Sequence, residues 1–261
     1  MTIYDKLLAA SDEGTTVNVV TLVQAPSEMA QFIGQTILVY PGGHVEGSII
    51  SGSFTELIAT HVKDAAWTEP HLFPLGHDGE HQLFWDKTVP DWKAVVFGGG
   101  HISQPLVAIL SLLGFAVTVI DDRPDYANRS RFPQAKEVIC AKFAEVFRGE
   151  RLQINERTAL IIVTRGHQHD LECLQACLPL AAGYMGMIGS RRRVAGIVAM
   201  LKEQGVPVSR LLQLRAPIGL DIGAKTPAEI AVSIAAEIVA VVRAGSLRQP
   251  RIVSSGVANN G

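Results

Sequence analysis

Glycines 98, 99 and 100 stand between an apolar run, Ala94 to Phe97, and a stretch with helical spacing of Leu106, Val107, Ile109, Leu110 and Leu113. Without side chains, the backbone turns sharply and comes close to a phosphate. The helix that follows supplies N–H groups and the positive end of its dipole. Ser103 sits where a full GxGxxG motif has its third glycine. Its hydroxyl is placed to cap the helix and to bond the same anion. Asp121 closes the next apolar run, Ala116 to Ile120, at about the twenty-residue distance where an acid takes a ribose 2′-hydroxyl. Arg123 offers the competing chemistry of holding a 2′-phosphate or stacking on a base. Asp122 and Arg123 read equally well as a solvated charged loop. Gly98, Gly99, Gly100, His101, Ser103, Asp121, Asp122 and Arg123 are therefore candidate cofactor-binding residues.

Two further segments carry polar groups directly after apolar strands. Thr164-Arg165-Gly166-His167-Gln168-His169-Asp170 follows Ala159 to Val163. Thr164, Arg165 and Gly166 join the binding set. His167, with His101, is the candidate acid/base, since imidazole changes charge near neutral pH. Two histidines and one acid are too sparse for a metal assignment. Asp170 is read as the cap of the next helix. Gly189-Ser190-Arg191-Arg192-Arg193 opens another helix. Three arginines there oppose its dipole, which an incoming anion would relieve. Gly189, Ser190 and Arg191 enter the binding set, as does Asp221 in the loop 219–225. Cys173 and Cys177, four apart on one helix face, read as core packing, and Cys140 at a strand end reads the same way.

The elements that position these residues alternate strand and helix from Trp92 onward. That pattern gives an α/β fold, a Rossmann-like, mostly parallel sheet, whose ligands sit outside the carboxyl ends of the strands. The segments at 98–103, 121–123, 164–170 and 188–193 should share that rim. Thr226-Pro227-Ala228-Glu229 is a capping box with proline at the first helical position. The first 88 residues read as a smaller N-terminal α+β domain: β-branched runs at 17–23 and 36–40, a return strand at 45–49, a short helix at 53–62, an irregular stretch at 69–79 and a strand near 83–85. Val89-Pro90-Asp91 serves as linker, 92–245 as the Rossmann-like domain, and 246–261 as a polar, flexible tail.

Composition narrows the class. The 261 residues are 48% hydrophobic and 18% charged, with a formal net charge of -2. That balance offers no general field for nucleic acid or an anionic membrane. No apolar run of about 18 residues marks a membrane span. Three cysteines without a CxxC fit reduced thiols in a cytoplasmic protein. Exposed strand edges in the small first domain make a homodimer the default expectation.

From about 93 to 243 the chain resembles the C-terminal domain of the XdhC/CoxI family, the xanthine dehydrogenase accessory factors. The matching blocks are Phe97-Gly98-Gly99-Gly100-His101, Val119-Ile120-Asp121-Asp122-Arg123, Arg131-Phe132-Pro133, Thr164-Arg165-Gly166-His167, Tyr184 through Arg192, and Pro217 through Ala224 with Thr226-Pro227 and Glu229-Ile230-Ala231. The first 90 residues match the family pattern less closely. That pattern has cysteines where this chain, whose first cysteine is Cys140, has none.

The resemblance implies a Rossmann-type domain that binds molybdenum cofactor (molybdopterin), supports its sulfuration and delivers it. A molybdenum hydroxylase and a sulfur donor would be the partners. Gly98, Gly100 and Ser103 would cradle phosphate, Asp121 and Arg123 would meet the ribose or base, Ser190 and Arg191 would neutralise charge, and His167 would face the pterin or metal end. The alternative is a NAD(P)-dependent oxidoreductase using the same rim, with His101 or His167 as acid/base.

Overall fold

The computed structural model describes residues 2–63, 65, 67, 69–76, 79–147 and 152–244. The side chains of His167 and Ala244, and the tail expected at 246–261, lie outside that description. The chain divides into two units, Met1–Pro90 and Asp91–Gly261.

In the first unit, helix α1 (Ile3–Asp12) is followed by strand β1 (Val17–Gln24), a 3-10 turn (Ser27–Phe32), β2 (Thr36–Val39), β3 (Val45–Gly47), α2 (Gly52–Lys63), β4 (His71–Leu75) and β5 (His81–Thr88). The five strands pair antiparallel in the order β3-β2-β1-β5-β4. Alternation sends Val20, Leu22, Leu83 and Trp85 to one face, where they pack with Ile58 and Val62 of α2. Strand β4 falls in the stretch read from sequence as irregular. Two prolines and two glycines led to that reading, yet β4 is an edge strand, where proline is tolerated.

The second unit alternates as its pattern requires: β6 (Lys93–Phe97), α3 (Ser103–Leu112), β7 (Ala116–Asp121), β8 (Glu137–Cys140), α4 (Phe143–Val146), β9 (Thr158–Ile162), α5 (His167–Cys177), β10 (Tyr184–Met187), α6 (Arg191–Glu203), α7 (Val208–Leu211), β11 (Leu214–Arg215) and α8 (Pro227–Ala244). Its six strands are parallel in the order β11-β10-β9-β6-β7-β8. Counted from β6, that is 3-2-1-4-5-6 read from the β8 edge, so the order reverses between β6 and β9. The two-residue β11 is too short to show a period in the sequence.

Strand periodicity divides the core. Val95, Phe97, Ile120, Leu160 and Ile162 face Leu174, Ile197 and Leu201, from α5 and α6. Ala94, Val96, Val117, Val119 and Ile161 face Leu106 and Leu110 of α3 and Ile234 and Ile238 of α8. Each such large side chain contributes roughly 1.5–3 kcal/mol by leaving water. Both faces of the sheet are covered, which is why these strands read as continuous apolar runs rather than alternating ones.

A buried carboxylate ties the last loop of the rim to this scaffold. Glu237 of α8, 1% exposed, accepts from the Tyr184 hydroxyl at 2.7 Å and from the Gly219 N–H at 2.9 Å. Gly219 has φ +96°, and a Cβ there would lie 2.4 Å from Ser233 Oγ, so the loop lies against α8. Burial, followed by the nearby Glu237, raises the Tyr184 phenol above its ordinary pKa and keeps it a donor. Glu237→Ala strands both donors and should lower stability by about 3 kcal/mol. Glu237→Gln, which keeps an acceptor oxygen, should lose distinctly less. Urea unfolding of the two variants compares them directly.

Candidate functional site

The parallel register brings Phe97, Ile120, Ile162 and Met187 level at the carboxyl edge of the sheet. The chain leaves that edge into the four segments expected there, 98–103, 121–123, 164–170 and 188–193. Of these, the glycine turn after β6 and the Thr164 loop after β9 flank the point where the strand order reverses.

Gly98 and Gly99 are required by close approach. Gly98 has φ +108°, and a Cβ on it would stand 2.6 Å from the Val163 carbonyl oxygen. A Cβ on Gly99 would stand 2.4 Å from the Tyr126 carbonyl oxygen. Gly100 differs: nothing lies within 4 Å of where its Cβ would be. Gly98 and Gly99 therefore shape the turn, while Gly100 opens on space. His101, next along, is exposed.

Ser103 does not reach that space. It is fully buried, and its hydroxyl donates to the Gly98 carbonyl. The expected bond from Ser103 to an anion is thus replaced by one that closes the turn from below. Helix α3 starts without any side-chain cap, and so does α5, whose N-cap is Gly166 with open space beside it. The other two long helices on this rim are capped. The Ser190 hydroxyl accepts from Arg193 N–H at 3.2 Å at α6. At α8, Thr226 Oγ1 accepts from the Glu229 N–H at 3.3 Å while Glu229 takes the Thr226 N–H at 2.9 Å. The two uncapped N-termini are those beside the switch point, where their first N–H groups remain for solvent or an anion.

Asp121 is the anchor of this rim. It is 1% exposed and accepts four hydrogen bonds: at Oδ2 from Gly99 N–H (2.7 Å) and Arg123 Nη2 (3.0 Å), and at Oδ1 from Arg123 N–H (3.0 Å) and Arg123 Nε (2.9 Å). The carboxylate read from sequence as a ribose acceptor thus has both oxygens engaged within the chain. Arg123, read as a phosphate or base partner, is spent on the same pair and lies 3.5 Å over the Tyr126 ring. Burial alone raises the Asp121 carboxyl pKa. The bonds from Arg123 and Gly99 outweigh it and hold the carboxyl below the ordinary carboxylate range. Asp122, half-buried, pairs with Arg165 at 3.1 Å, linking the β7 and β9 loops.

Across the switch point, Thr164 and Asp170 are buried. The Thr164 hydroxyl and the Arg193 guanidinium both donate to Asp170. Asp170 is therefore not the cap of α5, which starts three residues earlier at His167. It is the tie between that helix and α6. Arg193, from the arginine run read as an anion clamp, is turned into this pair, whereas Ser190, Arg191 and Arg192 are exposed. Gly189 is half-buried at the end of that loop, and Asp221 is exposed beyond Gly219.

The cysteines divide. Cys173 and Cys177 are fully buried, as core packing requires, and burial pushes both thiols well above their usual pKa. Cys140 is instead exposed, at the end of β8 opposite Asp121. The sequence reading missed it because a four-residue strand gives no signal of which residue lies past its last ladder bond.

A parallel sheet of this order, covered on both faces and with a glycine turn at its switch point, is a Rossmann domain. Residues 94–238, more than half of the chain, match the family model described as the XdhC Rossmann domain, and the chain belongs to that family. It is 33% identical over 151 residues (57% of this chain, 27% of the relative) to the Escherichia coli (strain K12) protein called Uncharacterized protein YqeB. It is 33% identical over 162 residues (62% of this chain, 46% of the relative) to a probable xanthine dehydrogenase subunit of Bacillus subtilis (strain 168). The chain thus spans less than half the length of either. A solved structure described as a xanthine dehydrogenase from Bacillus halodurans covers 98% of this chain, with TM-score 0.66 and 26% identity, and 65% of that structure's chain is matched.

Because the folded-state pKa of Asp121 is depressed, its stabilisation is complete above the unfolded value of about 3.9 and is lost as pH falls through the folded value. Asp121→Asn should therefore cost about 3 kcal/mol at pH 7, and the gap from wild type should close below about pH 4. Urea melts across pH check both the size and the sign.

Proposed function

We propose that this protein is an accessory factor of a molybdenum hydroxylase of the xanthine dehydrogenase class. It would hold molybdenum cofactor at the carboxyl rim of its Rossmann domain and support its sulfuration and transfer. The observation that carries this reading is the pair of uncapped helix N-termini at the switch point, in a chain that belongs to the XdhC family. The Bacillus subtilis relative, called a probable xanthine dehydrogenase subunit, supports the choice of client.

The cofactor is cargo here, and its phosphate is the part this rim suits. Gly100 and His101 at α3, and Gly166 at α5, present backbone to the anion, with no Cβ in the way at 100 or 166. Arg165, Arg191 and Arg192 add exposed positive charge nearby along the rim. Thr164, Asp170 and Arg193 keep the second helix in place rather than touching the ligand. His101, exposed in the turn, is available to hold or move a proton at the bound group, and His167 stands at the first position of α5. Molybdenum chemistry belongs to the bound group. Sulfur would come from a partner; the buried, raised thiols of Cys173 and Cys177 are poor nucleophiles and poor metal ligands.

Gly100→Asp tests this directly. Position 100 has room for a side chain, so the variant should fold and melt like wild type, while its carboxylate repels the phosphate. Titration with molybdenum cofactor, followed by pterin fluorescence, should show binding weakened by about tenfold or more, equivalent to about 1.4 kcal/mol. Lys225→Ala, in the loop before α8, should bind as wild type does. Equal affinity in all three proteins, or no binding to wild type, would defeat the proposal.

A further inference from the structure

In a dinucleotide-binding sheet of this order, the adenosine half lies over the ends of the first two strands. The acid ending the second strand takes the ribose hydroxyls there. The corresponding strands are β6 and β7, and the acid is Asp121. A carboxylate has about four acceptor positions, and Asp121 uses four, for Gly99 N–H and three donors of Arg123. Nothing is left for a sugar.

The chain itself continues over this ground. Arg123 lies flat on Tyr126, and the Arg131 guanidinium comes within 5.0 Å of the same ring while donating to the Gly99 carbonyl at 3.3 Å. The Tyr126 backbone is in the contact with Gly99 described above. The stretch is closed on itself: Tyr126 and Ala127 N–H both donate to the Arg123 carbonyl, and Asn128 bonds back to Pro124 and Asp125 and forward to Arg131. Buried Ala127 and Phe132 anchor it beneath. It is a built surface and not a loose loop.

We propose that residues 123–131 fill the adenosine half-site of their own domain. The rim then admits ligands that end in a single phosphate and rejects dinucleotides. This rests on the phosphate seat at Gly100 and adds what the seat excludes. Asp121 and Arg123 are specificity-setting residues in this scheme. They hold the plug down instead of touching a nucleotide, so both NAD and NADP are shut out by occupancy rather than by charge.

The test is calorimetric titration of the full chain with ADP-ribose, NAD and NADP, alongside molybdenum cofactor. Wild type should bind none of the three dinucleotide-type ligands more tightly than about 1 mM. Arg123→Ala/Tyr126→Ala, shown folded by circular dichroism, should gain ADP-ribose affinity by about tenfold or more. Tyr126→Phe keeps the ring and should behave as wild type. If the double variant does not fold, Arg123→Lys/Tyr126→Ala, which keeps a positive charge beside Asp121 but gives up the bonds from Arg123 Nε and Nη2, carries the same expectation. Micromolar binding of ADP-ribose, NAD or NADP by wild type would overturn the proposal, as would a folded plug variant that gains nothing. Failure of molybdenum cofactor to bind would count against the accessory-factor reading without moving the dinucleotide results, so the two can fail separately.

Discussion

Four hydrogen bonds converge on the Asp121 carboxylate at the end of β7, and the shape of the rim follows from them. One comes from Gly99 and fixes the glycine turn after β6; three come from Arg123 and fix where the next segment starts. A buried carboxylate with one donor removed would be left with a large desolvation cost. The turn and the segment therefore cannot shift independently of each other. With Gly98 against Val163 as well, the turn is gripped from both neighbouring strands. The backbone of the turn is thus fixed by the chain itself, and under the proposed function a phosphate would meet it already in place, which spares the binding step the cost of ordering it.

Opposite charges are matched within the chain almost everywhere on this rim. Asp121 takes Arg123, Asp122 takes Arg165, and Asp170 takes Arg193. The first braces the β7 loop, the second joins it to the β9 loop, and the third joins the first turns of α5 and α6. Among the described residues, the first turns of α3 and α5 have no side-chain cap, and Arg191 and Arg192 stay exposed. Paired side chains around bare N–H groups suit a compact anion better than an extended ligand that must read sugars and bases one by one.

The sequence shows its α/β order clearly because the inner strands β6, β9 and β10 are buried on both faces, and Gly and Pro punctuate the ends. Ser190 and Thr226-Glu229 also show plainly, since capping is a local interaction between residues three apart. Long-range pairing is where local reading fails. Ser103 looks like an anion donor until the Gly98 carbonyl is seen beneath it. Asp170 looks like a cap until Arg193, 23 residues away along the chain, claims it. Arg191 and Arg193 are equivalent in a string of three arginines, and only the helix face decides that one is buried in a pair and the other left in solvent. The prolines and glycines around β4 hid it because an edge position cannot be told from a central one without the neighbours.

The motif at 121–123 carries the sharpest version of this lesson. An acid about twenty residues after a glycine turn is the usual sign of a dinucleotide site, and an arginine two residues on is the sign of its phosphorylated form. Each sign presumes that the side chain is free. Here the two satisfy each other, and the guanidinium carries Tyr126 with it onto the turn. A pairing between the two diagnostic residues cancels both readings at once and turns a recognition motif into a fastening. Under the proposal made above, the fold keeps the phosphate half of a nucleotide seat while the adenosine half becomes part of the protein's own wall.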